Sequence, residues 1–364
     1  MKNSFLLLFF CTFLCLGIQA QRKTENVILI TMDGARYQEM FGGLDGELYK
    51  KIDKDAEKKD VFKTFSAETA EQRREIMMPF FWQVWMKNNG SVAGNPTLKS
   101  EVKTTNNLLF SYPGYSEILT GQARDNVIKS NDFVQNQFPS FLQFLQKKMK
   151  LDANQVASFA SWDVMNAIAT SNPDAFLVNA GFEPYQSSDR EIQLLSTAQF
   201  ETITPWDTVR HDYYTFRFAM AHLRKYHPRV LHIGFGEIDD WAHNKRYDLM
   251  IKTFRRNDDY FKELWEFLES DKQYKGKTTI IVTTDHGRGK TETNWNSHGE
   301  DVPEARSIWM AFISPDSILR GEWKNAETIY QNQIAATLCK TLGFDYSEQN
   351  RNAGKPIDEA FRNK

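Results

Sequence analysis

Residues 278–287 read Thr278-Thr279-Ile280-Ile281-Val282-Thr283-Thr284-Asp285-His286-Gly287. A β-prone run leads without a charge into an adjacent carboxylate and imidazole, and a glycine then turns the chain. A short apolar run of this kind, bounded by a turn, is the pattern of a strand buried on both faces of a parallel sheet. Such strands deliver their functional groups past the carboxyl edge of the sheet. An Asp-His pair alone is as consistent with a capping role as with metal ligation. Its weight comes from what surrounds it.

Working outward, the same pattern recurs. Strands are predicted at Val27–Met32, Val156–Trp162, Ala175–Asn179, Val230–Phe235 and Ile308–Ser314. Between them lie stretches of helical spacing at Gln72–Lys87, Tyr115–Thr120, Pro139–Lys148, Trp206–Tyr226, Met250–Leu268 and Ile329–Leu342. Pro79 interrupts the first of these, and Gly121 and Gly343 close two others. Ser111-Tyr112-Pro113-Gly114 reads as a turn ahead of the helix at 115. This alternation predicts an α/β fold: a mostly parallel central sheet with helices on both faces, a three-layer sandwich. Residues 44–105 are more polar and less regular and read as an excursion from the sheet within one domain spanning 21–364. Gly181–Thr204 reads as a surface insertion.

The 364 residues, 41% of them hydrophobic, suffice for one large core. With 45 basic against 47 acidic residues there is no positive field to favour nucleic acid. Residues 1–20 carry Lys2, the apolar run Phe5–Leu16 and the small residues before Gln21, the layout of an export signal. The expected location is therefore secreted or periplasmic. Cleavage would remove Cys11 and Cys15 and leave Cys339 with no internal disulfide partner. No later segment is long and apolar enough to span a bilayer.

Four points that end a strand, or follow one, carry metal-ligand residue types. They are Asp33; Asp239 with His243; Asp285 with His286; and His298, twelve residues after His286. Three Asp and three His make two sets of three, and a catalytic zinc takes about three protein ligands and keeps a position open. Two such ions about 4 Å apart can hold the attacking and leaving oxygens of an in-line displacement. Ser111, ahead of a turn and a helix, is the candidate nucleophile. Asp240 and Glu237 read as carboxylates that support the ligands or face the surface, and Arg288 and Lys290 as solvated residues rather than ones that meet substrate anionic oxygens. His232 reads as a core histidine, and His211, His222 and His227 as residues of helix surfaces or ends.

On these residues the chain resembles the alkaline phosphatase superfamily, and most closely its branch of nucleotide pyrophosphatases and phosphodiesterases. The matches are Asp33 in Ile-Thr-Met-Asp-Gly, Ser111 in Ser-Tyr-Pro-Gly-Tyr, the Asp239-x-x-x-His243 pair, Asp285-His286-Gly287 and His298. They span residues 27 to 300 in the family's order. The resemblance implies one zinc on Asp239, His243 and His298, and another on Asp33, Asp285, His286 and Ser111; mixed His/Asp ligation would also accept Mn2+. It implies a phosphoric-ester hydrolase, phosphodiesterase or phosphatase, working through a covalent phosphoserine on a small-molecule ester or diester. Two other readings are a phosphoryl or phosphoethanolamine transferase or mutase of the same superfamily, and a non-catalytic ligand-binding protein. The family commonly carries a phosphate-holding Asn just after the proline. Here that position is Gly114, so Asn106 or Asn107 is expected in that role, with Tyr112, Tyr115 and Trp162 lining the pocket. Tyr at 115, where sulfatases of the superfamily need Arg, argues against a formylglycine sulfatase. The aromatic-rich 72–115 stretch is expected to wall the second ester group, which favours diesters.

Overall fold

The structure, a computed structural model, describes residues 22–361; the export signal expected at 1–20 lies outside the described residues. The strands are β1 (Asn26–Met32), β2 (Gly90–Ala93), β3 (Val102–Lys103), β4 (Val156–Ala160), β5 (Leu177–Ala180), β6 (Val230–Phe235), β7 (Thr278–Thr283), β8 (Ser307–Ile308), β9 (Met310–Ile313), β10 (Gly321–Glu322) and β11 (Ile329–Tyr330). Eight form the central sheet in the order β10-β2-β9-β7-β1-β6-β4-β5; β11, β3 and β8 form a small second sheet. Every pairing in the central sheet is parallel except the two made by β9.

Alternate residues of each central strand enter two separate cores, as a period of two requires. Ile28, Ile30, Leu231, Ile233, Ile280 and Val282 face the helices Asp212–Tyr226 and Tyr247–Ser270, whose Phe216, Met220, Phe254 and Phe261 meet them. Val27, Leu29, Val230 and Ile281 face the other way. There they join Ile118, Leu119, Phe141, Leu145, Ile334 and Leu338 from the helices Ser111–Thr120, Phe141–Met149 and Ile334–Thr341. The expected three-layer α/β architecture is the one found. Each fully buried Ile or Leu contributes about 1.5–3 kcal/mol, so strands β1, β6 and β7, buried along their whole length, are the firm part of the molecule.

Several local expectations change. The stretch 44–105 does not stay outside the sheet: β2 pairs with β9 and brings its end back. Pro79 does break the helix. One segment ends at Met77, a π-helical segment runs from Phe81 to Asn89, and Asp258 on the long helix accepts the backbone N–H groups of Phe80 (2.8 Å) and Phe81 (2.7 Å) freed at the break. Ser111–Gly114 is not a separate turn but the first turn of the helix Ser111–Thr120. Gly114 lets this helix lie against the sheet edge: a Cβ there would meet the Asp285 carbonyl oxygen at 2.4 Å. The segment 181–204 contains a helix, Arg190–Glu201. His222 is not on a helix surface. It is fully buried, with Nδ1 3.0 Å from the Tyr185 hydroxyl and Nε2 2.9 Å from the Asn154 carbonyl.

His232 is the core histidine expected. On the central strand β6 it bridges Thr31 Oγ1 on β1 (3.1 Å) and Ser158 Oγ on β4 (2.8 Å). Complete burial lowers its pKa from 6.5 to about 3. The folded state therefore holds fewer protons than the unfolded state between these values, and stability from this group is lost as pH falls below 6.5. Between pH 7 and pH 5 the loss is about 2 kcal/mol. Denaturant titrations of wild type and His232→Asn at both pH values should show the stability gap between them shrinking by about that amount at pH 5. An unchanged gap would mean that His232 carries no proton-linked stability.

Candidate active site

Register decides where the candidate residues emerge. Thr31 pairs with Thr283, and Met32 with Phe235, so β1, β6 and β7 end level at one edge. Asp33 leaves β1 there, and Gly34, at φ 58°, turns the chain back. The Gly34 N–H donates to Asp285 Oδ1 (3.0 Å), and the Ala35 N–H to Thr284 Oγ1 (3.0 Å), which ties the β1 and β7 ends together. After β6 the chain enters the helix Glu237–His243, whose i,i+4 geometry puts Asp239 and His243 on one face. Leu109, two residues before Ser111, sits at φ 56°, a strained conformation for a bulky residue. That backbone aims its carbonyl at the fourth ligand segment: it accepts from Gly299 N at 2.9 Å and lies 3.2 Å from His298 Nδ1.

The donor atoms converge in two sets: Asp33, Asp285 and His286; and Asp239, His286 and His298. In the first, His286 Nε2 is 3.4 Å from Asp33 Oδ1, 3.4 Å from Asp285 Oδ2 and 3.3 Å from Ser111 Oγ. Four donors about 2.0–2.1 Å from one tetrahedral zinc stand about 3.3 Å apart, and His286 Nε2 keeps that spacing from each of the other three. In the second, His243 Nε2 lies 3.0 Å from both Asp239 Oδ2 and His298 Nε2. His243 thus joins Asp239 and His298, while His286 lies between the two sets. Nδ1 of His286 is 2.9 Å from the Gly287 carbonyl, which assigns its proton there and leaves the Nε2 lone pair toward the carboxylates. The buried oxygens Asp33 Oδ1 and Asp285 Oδ2 have no hydrogen-bond partner among the described residues. Carboxylate oxygens left bare beside imidazole lone pairs are what a divalent cation satisfies, and mixed Asp/His donors suit Zn2+ or Mn2+.

Electrostatics point the same way. Burial, with Asp239 nearby, pushes the Asp33 carboxyl well above the usual range; burial, with Asp33 nearby, does the same to Asp285. Burial also pushes Asp239 upward, but the Arg288 guanidinium and His243 outweigh it and hold that carboxyl well below its ordinary value. Burial and the neighbouring His286 push His298 down, toward the neutral imidazole that a metal needs.

These residues open onto a cleft of about 350 Å³. Ser111, Asp33, Asp239, His243 and His298 line it, and Trp162 lies on its wall. The apolar wall is not made by residues 72–115 but by Trp162, Val164 and Val209. The aromatics of the 80s are core: Phe81 meets Trp309, and Trp85 stacks on Phe261. Tyr115 is buried beside Asp33 and does not line the cleft. Tyr112 is turned away, its hydroxyl donating to the Val134 carbonyl.

Asn106 and Asn107 do not reach the cleft. Asn106 is buried, donating to Glu117 (2.8 Å) and accepting from Leu109 N (2.9 Å), so it shapes the strained loop. Asn107 bonds Asp125 and Arg306 on the outside. The asparagine that does line the cleft is Asn131, which sequence reading passed over. Its Oδ1 accepts the Tyr112 N–H at the start of the Ser111 helix (2.9 Å), which directs its amide nitrogen away from that helix. Nothing in its own polar surroundings signals this; only the fold brings residue 131 beside 111. Arg288, expected in solvent, is fully buried and bonds Asp239.

A profile of the family described as type I phosphodiesterase / nucleotide pyrophosphatase matches residues 52–338. No functionally curated protein matches the sequence. Among solved structures the chain is similar to the lipoteichoic acid synthase LtaP from Listeria monocytogenes, at 10% identity and TM-score 0.56, over 90% of this chain and 74% of that one. It is similar to the phosphonate monoester hydrolase SpPMH from Silicibacter pomeroyi, at 12% identity and TM-score 0.55, over 93% and 76%. A protein of the alkaline phosphatase superfamily from Vibrio parahaemolyticus matches at 13% identity and TM-score 0.51, over 89% and 68%. At such identities the likeness is one of fold.

Proposed function

The chain belongs to the type I phosphodiesterase / nucleotide pyrophosphatase family, whose chemistry is phosphoric-ester hydrolysis; from that premise we propose that it is an exported two-cation phosphodiesterase, acting on small-molecule diesters through a phosphoserine at Ser111. What carries the reading is the position of Ser111 Oγ, 3.3 Å from His286 Nε2, on a cleft shared with Asp33, Asp239, His243 and His298. Export is read from residues 1–20; no helix among the described residues is long and apolar enough to cross a membrane.

Asp33, Asp285, His286 and Ser111 would hold one divalent cation, and Asp239, His243 and His298 the other. When bound, such ions favour the ionised serine hydroxyl and offset negative charge on the phosphoryl oxygens. The chain's own part is geometric. Ser111 opens a helix, so its oxygen is fixed and the helix N-terminus faces the incoming anion. Its oxygen bonds phosphorus while the bond to the leaving alkoxide breaks; water then takes the phosphoryl group from Ser111. Asn131, anchored through Oδ1 to Tyr112, has its amide nitrogen free of protein partners among the described residues and donates to a non-bridging oxygen.

The cleft also supports a choice between ester classes. A monoester carries a second negative charge, and no Lys or Arg is among the described residues lining the cleft. A diester replaces that charge with an ester group, for which Trp162, Val164 and Val209 provide an apolar wall. Bis(p-nitrophenyl) phosphate is expected to be hydrolysed with a kcat/KM at least about tenfold above that of p-nitrophenyl phosphate, a difference of 1.4 kcal/mol. A faster monoester would reject the diester assignment.

A further inference from the structure

The Arg288 guanidinium is completely buried, one of the largest side chains with no exposure. It touches the segments that supply Asp33, Asp239, Asp285-His286 and His298. Its backbone follows Asp285-His286 by two residues. Nη2 donates to the Asp239 carboxylate at Oδ1 and to the Asp239 carbonyl (3.1 Å); Nη1 donates to the Asn296 carbonyl, two residues before His298. Nε has no hydrogen-bond partner among the described residues and lies against Gly34, directly after Asp33. A Cβ on Gly34 would stand 2.9 Å from Nε and 2.4 Å from Asp239 Oδ1, so the glycine is what admits this contact.

The two oxygens of Asp239 are thus divided. Oδ1 goes to Arg288, and Oδ2 faces His243 Nε2 at 3.0 Å. The loop that carries His298 is pinned from the same side: Arg288 holds the Asn296 carbonyl, Gly289 N donates to the Ser297 carbonyl (3.0 Å), and Arg36 Nη1 to the Gly289 carbonyl (2.8 Å). Planar guanidinium donors can hold a carboxylate and a distant carbonyl at once; an ammonium on a flexible stem lacks that fixed fork.

We propose that Arg288 is a positioning residue that assembles the Asp239–His243–His298 cation site by fixing one oxygen of Asp239 and the loop leading to His298. The proposal rests on the two-cation reading above. Partners behind metal ligands typically set 10–100-fold of metal affinity. An opposite outcome is physically open: a fixed positive charge beside a cation site repels the cation, and its removal would then tighten binding. Orientation is the stronger effect here, because among the described residues Arg288 alone gives Asp239 Oδ1 a side-chain hydrogen bond, while the imidazoles of His286 and His298 stand off at 3.7 and 4.0 Å.

The test is a competition of zinc alone between a chromophoric chelator and purified wild type, Arg288→Gln and Arg288→Lys, with circular dichroism to verify folding. Wild type should bind two zinc ions. Arg288→Gln should keep one ion at wild-type affinity and bind the second about 10–100-fold more weakly. Arg288→Lys, which keeps the charge but not the fork, should fall in the same direction and remains informative if the Gln variant does not fold. In zinc excess the Lys variant should recover kcat without a change in KM. Two ions held as tightly as in wild type, or more tightly, by a folded variant would overturn the proposal and leave the two-cation reading standing. A wild type that binds fewer than two would overturn both.

Discussion

Ser111→Ala should lower kcat for bis(p-nitrophenyl) phosphate by about 10⁴-fold or more, the scale of losing a nucleophile outright, while zinc content stays at two per chain. Deleting one oxygen leaves Asp33, Asp285 and His286 in place, and these still converge around His286 Nε2 at 3.4 Å. The fold should hold, because Ser111 is helix position N1 and makes no side-chain cap of its own; the Phe110 backbone begins that helix. The discriminating readout is the phosphorylated enzyme. Rapid acid quench of wild type with a ³²P-labelled diester should trap label on Ser111, and the alanine variant should trap none. Residual turnover near wild type, or label on another residue, would remove Ser111 from the chemistry. Ser111→Thr offers a milder version: a hydroxyl kept at the same helix position, with a methyl added beside a helix already tight against the Asp285 backbone.

Asp285→Asn should nearly abolish activity by a different route. The side chain is fully buried, with Oδ1 accepting the Gly34 N–H and Oδ2 bare. An asparagine of the same shape can keep the Gly34 bond, but it turns an amide N–H₂ toward the cation. Zinc content should fall from two to one per chain, and kcat by about 10³-fold or more, as when several kcal/mol of charge stabilisation is lost. The metal-free proteins should differ the other way. Asp33, Asp239 and Asp285 crowd three buried carboxylates together, and burial with Asp33 already disfavours the charged form of Asp285. Removing one acid therefore relieves the cation-free state, and the metal-free variant should melt no lower than metal-free wild type. Functional sites commonly trade stability in this way. A variant that keeps two zinc ions, or whose metal-free form melts well below wild type, would contradict the role given to Asp285.

Much of this was legible along the chain. The run 278–287 announces a buried strand because its residues are β-branched and uncharged, and the strands at 27–32 and 230–235 share that character. Burial on both faces leaves little choice of residue, so the pattern survives translation into structure. Helices were harder at their starts. The chain from Trp206 to Tyr226 has helical spacing, yet the helix begins at Asp212, and Thr208 and Val209 instead line the cleft. The helix expected from Ile329 begins at Ile334, because Ile329 and Tyr330 pair with β3. In both cases a tertiary contact outcompetes local propensity, which is worth only tenths of a kcal/mol per residue.

Arg288 and Asn131 mark where reading the chain stops. An arginine after Asp-His-Gly looks like a solvated loop residue, since nothing near it in sequence says that Gly34 leaves a hole for it and that Asp239 waits beyond. Asn131 sits in a polar loop like any other until the fold lays that loop across the start of the Ser111 helix. By itself, the sequence determined the layered architecture and which residue types lie at the strand ends, because hydrophobic periodicity and turn residues are local properties. Only the tertiary structure decided which asparagine meets the cleft, which residues wall it and where the buried guanidinium of Arg288 goes. Those outcomes depend on distances between segments tens to hundreds of residues apart, and packing alone sets them.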